Sequence, residues 1–201
     1  MMWAGLPSGR RGEAHDPLSL NPRTNSIEQL VPQPDVIVNP ISGQTVTFLS
    51  KTPDILRTRF DVESGHATDP RHIHPQQTET ITVVEGRIRC SLPDRSECVL
   101  EPGQQWEIQS GTPHTWAAID HHVALRIDFR PALRTQQFMT RLFGLAEAGK
   151  TNSKGKPNPL QVSVIALEYE PEFHLARPPW GFQRVLLTGL AAVARKSGYR
   201  P

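Results

Sequence analysis

Between residues 36 and 129 apolar and polar positions alternate in short bursts separated by glycine, proline and other turn residues. A period of two puts successive side chains on opposite faces of a strand, so each burst predicts a half-buried β-strand. The candidates are 36–38, 44–49, 55–63, 71–74, 79–84, 87–92, 97–100, 105–108, 114–118 and 123–129. Two show the pattern most plainly. Leu56, Thr58, Phe60 and Val62 share one face of the third, and Val123, Leu125, Ile127 and Phe129 oppose Ala124, Arg126, Asp128 and Arg130 along the last. Many short strands joined by Gly/Pro turns predict a mainly β fold, a sandwich or barrel.

After Pro131 the period changes. Phe138, Leu142, Phe143 and Leu145 recur at helical spacing over 134–147, and Val162, Ile165 and Ala166 over 160–169. Phe182, Val185, Leu186, Leu190 and Val193 form one stripe over 180–196. Arg195 and Lys196 suit that helix's last turn, and Gly198 suits the position after it. The stripe is expected to pack on the barrel or on a second subunit. Residues 1–30 are rich in Gly, Pro, Arg, Ser and Asn without periodicity, which predicts a disordered arm. The expected organisation is therefore an arm over 1–30, a barrel over 31–131 and a helical extension over 132–201.

Composition narrows the function classes. Twenty-two basic and 20 acidic residues leave a net charge of +2 over 201 residues, which gives no basis for a nucleic-acid partner. Lys150, Lys154 and Lys156 read as solvated loop residues. No run reaches the roughly 18–20 apolar residues of a membrane span. Gly5, Pro7, Ser8 and Gly9 interrupt the start where a secretory signal needs an apolar core. The expectation is a cytoplasmic protein with reduced thiols. Cys90 and Cys98 fall on the two arms of one hairpin turning at Pro93–Ser96, where they could face each other without being bridged.

Four residues carry the chemistry: His72, His74, Glu79 and His114. Positions i and i+2 of a strand share a face, so His72 and His74 point into one space. Imidazoles and a carboxylate converging there suit a first-row divalent metal. The arrangement Gly65-x₆-His72-x-His74-x₄-Glu79-x₆-Gly86 resembles the first motif of the cupin superfamily. Pro102-Gly103 followed by Ser110-Gly111-Thr112-Pro113-His114-Thr115-Trp116 resembles the second. The likeness spans about residues 40–131, with one residue more between Gly65 and His72 than is usual. An asparagine often found after the second motif is not evident, and Asp120, near that place, is assigned no role.

The resemblance implies a double-stranded β-helix barrel holding a metal on His72, His74, Glu79 and His114, with a homodimer as the common assembly. Iron, manganese, nickel, zinc and copper all fit these ligand types. Three imidazoles and a carboxylate leave one or two positions open for substrate, water or dioxygen. Glu79 is also the candidate catalytic residue, as a ligand that shuttles protons or as a general base beside a metal held by the histidines alone. Gln77, Arg126 and Trp116 are the candidate substrate contacts. Their structural alternatives are barrel core for Trp116, as for Trp106, and an ion pair with Asp128 for Arg126. Arg59 and Asp128 are further candidates for the pocket wall. His66, His121, His122 and His174 lack comparable support. The expected function is a metal-dependent enzyme acting on a small organic molecule, of dioxygenase, isomerase, dehydratase or cyclase type. The alternatives are a non-catalytic small-molecule-binding or regulatory cupin and, third, a storage or interaction protein. No helix-turn-helix is predicted ahead of the barrel, which disfavours a transcription factor.

Overall fold

The computed structural model describes residues 35–63, 70–91, 94 and 96–201. The predicted arm 1–30, Gly65, His66 and, in the hairpin turn, Pro93 and Arg95 lie outside them. The strands are β1 (Asp35–Asn39), β2 (Gln44–Lys51), β3 (Leu56–Glu63), β4 (His72–Ile73), β5 (Thr78–Glu85), β6 (Ile88–Ser91), β7 (Glu97–Leu100), β8 (Gln105–Ile108), β9 (Thr115–Ala118) and β10 (His122–Arg130). Helices α1 (Thr135–Glu147) and α2 (Pro159–Glu168), strand β11 (His174–Leu175) and helix α3 (Trp180–Lys196) follow.

Six strands form one sheet in the order β1-β2-β3-β10-β5-β8, and three form a second in the order β7-β6-β9. Their inner faces meet in one core. Phe60, Val62, Ile81, Leu125 and Phe129 enter it from the large sheet, and Ile88, Cys90 and Trp116 from the small one. The alternation in β3 sets its face: Leu56, Thr58, Phe60 and Val62 are all buried. At the end of β5 the chain must turn sharply against the start of β10. Gly86 does so at φ +70°, where an added Cβ would lie 2.4 Å from the carbonyl of His122, so the position requires glycine. In the β6–β7 hairpin Cys90 pairs directly with Cys98 and both thiols are free. Burial pushes the Cys90 thiol up to about 12. The turn is held in part by Asp94, whose carboxylate accepts from the backbone N–H of Ser96 at 2.9 Å.

The helices do not stand apart from the barrel. Met139 and Phe143 of α1 pack on the barrel core. Phe138 joins Ile165, Tyr169, Leu142 and Phe173 in a second cluster. Asn158 caps α2, accepting from the N–H of Leu160 at 2.8 Å, and Pro159 starts the helix. Of the two partners expected for the α3 stripe, the barrel is not the one it packs on within a single chain: Phe182 (65% exposed), Val185 (76%), Leu186 (55%) and Val193 (54%) are exposed, and Leu190 is half-buried. The buried face is Gln183, Ala191 and Ala194, and the two alanines pack with Val164 of α2. No helix among the described residues is long and apolar enough to cross a membrane.

Candidate metal centre

Three segments deliver the four predicted ligands. His72 lies on β4, and its backbone exchanges hydrogen bonds with His114 at 2.9 and 3.0 Å. The strand predicted to reach His74 ends at Ile73, because the carbonyl of His74 turns to the N–H of Gly111 (2.9 Å). Glu79 shares the inner face of β5 with Ile81 and Val83. All four side chains are buried, and one ligand atom from each lies within 4.8 Å of the others.

The outer edges of the rings decide what the inner edges are. Nδ1 of His72 lies 2.8 Å from the carbonyl of Pro70, Nδ1 of His74 2.6 Å from that of Glu172, and Nδ1 of His114 2.8 Å from that of Thr112. A carbonyl oxygen only accepts, so each Nδ1 carries the proton. In a neutral imidazole each Nε2 is then an acceptor. These acceptors crowd together. Nε2 of His72 is 3.1 Å from Nε2 of His74, and Nε2 of His114 is 2.8 Å from Oε2 of Glu79. Oε2 also lies 3.3 Å from Nε2 of His74. Lone pairs at these separations repel unless a cation or protons sit among them. Outward Nδ1–H bonds to carbonyls are also how metal-bound imidazoles are usually oriented. On donor type, orientation and spacing the four residues fit a divalent metal ion.

The charges agree. Burial works against the Glu79 carboxylate, but hydrogen bonding with His114 and His74 outweighs it and holds the group below the usual carboxylate range. Burial, with His74 and His114 beside it, pushes His72 down to about 3, so this ring is neutral at pH 7. A metal entering the site displaces whatever protons bridge the remaining contacts. Neither His72 nor Glu79 takes up a proton between roughly pH 5 and 7, so neither releases one to a metal there; competition by His72 begins only as pH falls toward about 3. Titration calorimetry in two buffers of different ionisation enthalpy counts the bridging protons displaced. Ring NMR signals of His72 that titrate between roughly pH 5 and 7 in the metal-free chain would contradict this protonation scheme.

The predicted substrate contacts fare differently from the ligands. Arg126 lies exposed on the outer face of β10, opposite Arg59 and Thr82 in register. The ion pairs of Asp128 are with Arg57 (3.8 Å) and Arg130 (3.4 Å) rather than with Arg126. Arg59 pairs with Asp61 at 2.8 Å. Trp116 is core, 2% exposed and packed between the sheets. Gln77 is buried, but its amide is committed to the barrel–helix junction. Nε2 donates to the carbonyl of Pro131 (2.7 Å) and to Oγ1 of Thr135 (2.8 Å), and Oε1 lies 3.1 Å from that same Oγ1. None of the three is among the residues lining the cavity beside the ligands. Gln77→Ala is expected to lower stability by about 1–3 kcal/mol, since it leaves buried groups unpaired, and to leave one equivalent of metal bound. Denaturant melts and elemental analysis check both. Loss of metal with unchanged stability would mean that Gln77 serves the site and not the junction.

Sequence reasoning missed the contribution of the extension. Strand β11 pairs with β4, setting Leu175 opposite His72 and His174 opposite Ile73. Phe173 stacks on the His72 ring, with centroids 4.9 Å apart and planes at 20°. The carbonyl that fixes His74 belongs to Glu172, whose buried carboxylate accepts from the backbone N–H of Arg134 at 3.1 Å and pairs with its guanidinium at 3.3 Å. Phe138, Met139, Leu142 and Phe143 of α1 close the cavity beside the ligands. The periodicity had marked Phe138, Leu142 and Phe143 as one apolar face, but nothing in the sequence said what that face covers.

Residues 58–127, a segment that contains all four candidate ligands, match the family model for the cupin domain. Among solved structures the chain is similar to an RmlC-like cupin from Shewanella frigidimarina NCIMB 400, with 17% identity over 52% of this chain and 89% of the other, at a TM-score of 0.46. It is also similar to KdgF from Halomonas sp., with 21% identity over 47% of this chain and 84% of the other, at a TM-score of 0.44. A third likeness is to Pac13, a nucleoside dehydratase, with 16% identity over 52% of this chain and 81% of the other, at a TM-score of 0.43. No curated protein sequence matches the chain.

Proposed function

We propose that this protein is a metal-dependent enzyme acting on a small organic molecule, with a divalent ion of iron, manganese, nickel, zinc or copper held by His72, His74, Glu79 and His114. The observation that supports it most is the set of three outward Nδ1 contacts, which leaves four buried acceptors facing one another with a cavity alongside. Such an ion, when bound, supplies Lewis-acid polarisation of a substrate oxygen or a seat for redox chemistry. The chain's own part is orientation and exclusion of water. The carbonyls of Pro70, Thr112 and Glu172 fix the rings, and the apolar side chains of the barrel and α1 keep the cavity dry. Glu79, held ionised, is a weak base at neutral pH, which favours ligation over general-base work.

The thiols, unbridged although paired in register, suit the reducing cytoplasm. The exposed stripe of α3 suits a homodimer contact, to be checked by sedimentation of the purified protein.

Elemental analysis of the purified chain beside the His72→Ala/His114→Ala double variant tests the site. Azide titration of the cobalt- or copper-loaded chain tests the open position. About one equivalent of metal in the wild type only, together with a spectral shift on azide, supports the enzyme. A bound metal that ignores azide points to a structural ion in a binding protein. Equal metal in both proteins, or none in either after reconstitution, overturns the assignment.

A further inference from the structure

The cavity beside the ligands measures about 230 Å³. The barrel lines it with Phe60, Ile127 and Phe129, and the extension with Phe138, Leu142 and Phe173. Apart from the ligands, Gln44 and Thr135 are the only polar side chains among the described lining residues. Both have partners within the protein: Thr135 bonds to Gln77, and the carbonyl oxygen of Gln44 accepts from Ser42. No lysine or arginine lines the cavity among the described residues. Arg126, a candidate substrate contact, and Arg59, a candidate for the pocket wall, sit on the outside, the second paired with Asp61. Phe138, Leu142 and Phe173 also line a second chamber of about 290 Å³, between the helices, whose wall includes Leu175, Trp180 and Leu186. Of the described residues in that wall only His174 and Gln183 are polar, and the Gln183 amide donates to the carbonyl of Leu175 (2.8 Å), so the surroundings stay mostly apolar outward from the ligands.

Charged or polyhydroxylated molecules would have to give up water in this space with almost nothing to replace it. An apolar cavity of about 150 Å³ holds benzene, so this one has room for a ring and substituents or a fused pair of rings. We propose that the substrate is an uncharged, largely apolar ring compound that presents a single oxygen function to the metal. Sugars, sugar acids and nucleotides do not fit this wall. The oxygen end of the proposal rests on the metal-enzyme reading; the apolar end does not.

The test compares 2-naphthol with D-glucuronate as ligands of the full-length chain, zinc-loaded and metal-free, by thermal shift and titration. In the loaded chain 2-naphthol is expected to bind at least about tenfold more tightly. Met139→Arg sets a cation at a half-buried point of the wall. It is expected to weaken 2-naphthol by about tenfold or more while metal content stays at the wild-type level. The milder Phe143→Leu should weaken it about threefold, through lost contact area. Glucuronate binding as tightly as 2-naphthol, or 2-naphthol affinity indifferent to both substitutions, overturns the proposal. Were the chain to bind no metal, yet still be stabilised by 2-naphthol in a way that Met139→Arg removes, the enzyme reading would fail and the apolar-ligand reading would stand.

Discussion

His114→Ala is expected to reduce bound metal from about one equivalent to a small fraction of one. Loss of a partner that merely orients a ligand costs about 10–100-fold in affinity, and loss of the ligand itself should cost at least the upper end of that range. His114 is wholly buried, lies 2.8 Å from Glu79 and bridges by its backbone to His72, so no other described side chain stands ready to replace it. The effect on stability should depend on metal. In the metal-free chain the substitution removes one of four crowded acceptors, which offsets part of the cost of the cavity it leaves. In the metal-loaded wild type, binding adds a stabilisation that grows with the logarithm of free metal, and the variant lacks it. Melting temperatures with and without added zinc should therefore separate in the wild type and coincide in the variant. A variant that loads metal with wild-type affinity and melts higher with zinc would remove His114 from the ligand set.

The ligands were legible because their chemistry is written at short range. His72 and His74 are two apart, the first on β4 and the second one residue past its end, and Glu79 falls on the inner face of β5 by the same alternation that buries Ile81 and Val83. His114 came through the second motif, from across the barrel. The strands were legible for the same reason: a half-buried strand declares its faces every second residue. What reaches the site from far along the chain was not. Glu172 touches His74 across 98 positions, through a backbone carbonyl that any residue type would supply. The substrate contacts failed for a related reason. Polarity nominated Arg126 and Gln77, but the face of β10 sends Arg126 outward, and the barrel–helix junction takes the amide of Gln77. In α3 the large apolar residues looked like the packing face, yet close approach to α2 selected Ala191 and Ala194.

Truncation after Pro131 is the second large effect. The sequence ties residues 132–201 to the rest only through the α3 stripe, expected to pack on the barrel or a second subunit; the structure gives other reasons why their removal is damaging. The shortened chain loses the carbonyl that holds His74, the ring stacked on His72, the strand paired with β4 and the Thr135 hydroxyl that satisfies Gln77. It also uncovers the cavity that Phe138, Met139, Leu142 and Phe143 close. Each unpaired buried group costs about 1–3 kcal/mol, a large share of the roughly 5–15 kcal/mol that holds a domain together. The truncated chain is expected to be poorly soluble and, where it can be kept folded, to bind metal at least about tenfold more weakly. Truncation does not separate loss of the site from unfolding, so Phe173→Ala and Arg134→Ala serve as the finer probes. The first removes the ring stacked on His72, and the second removes the guanidinium paired with Glu172, leaving that carboxylate only the backbone N–H of residue 134. Both should retain the wild-type circular dichroism and lose metal affinity by about 10-fold. Should the truncated chain stay soluble and load metal like the full chain, with both point variants unchanged, the extension would be a cover lying on a site already complete without it.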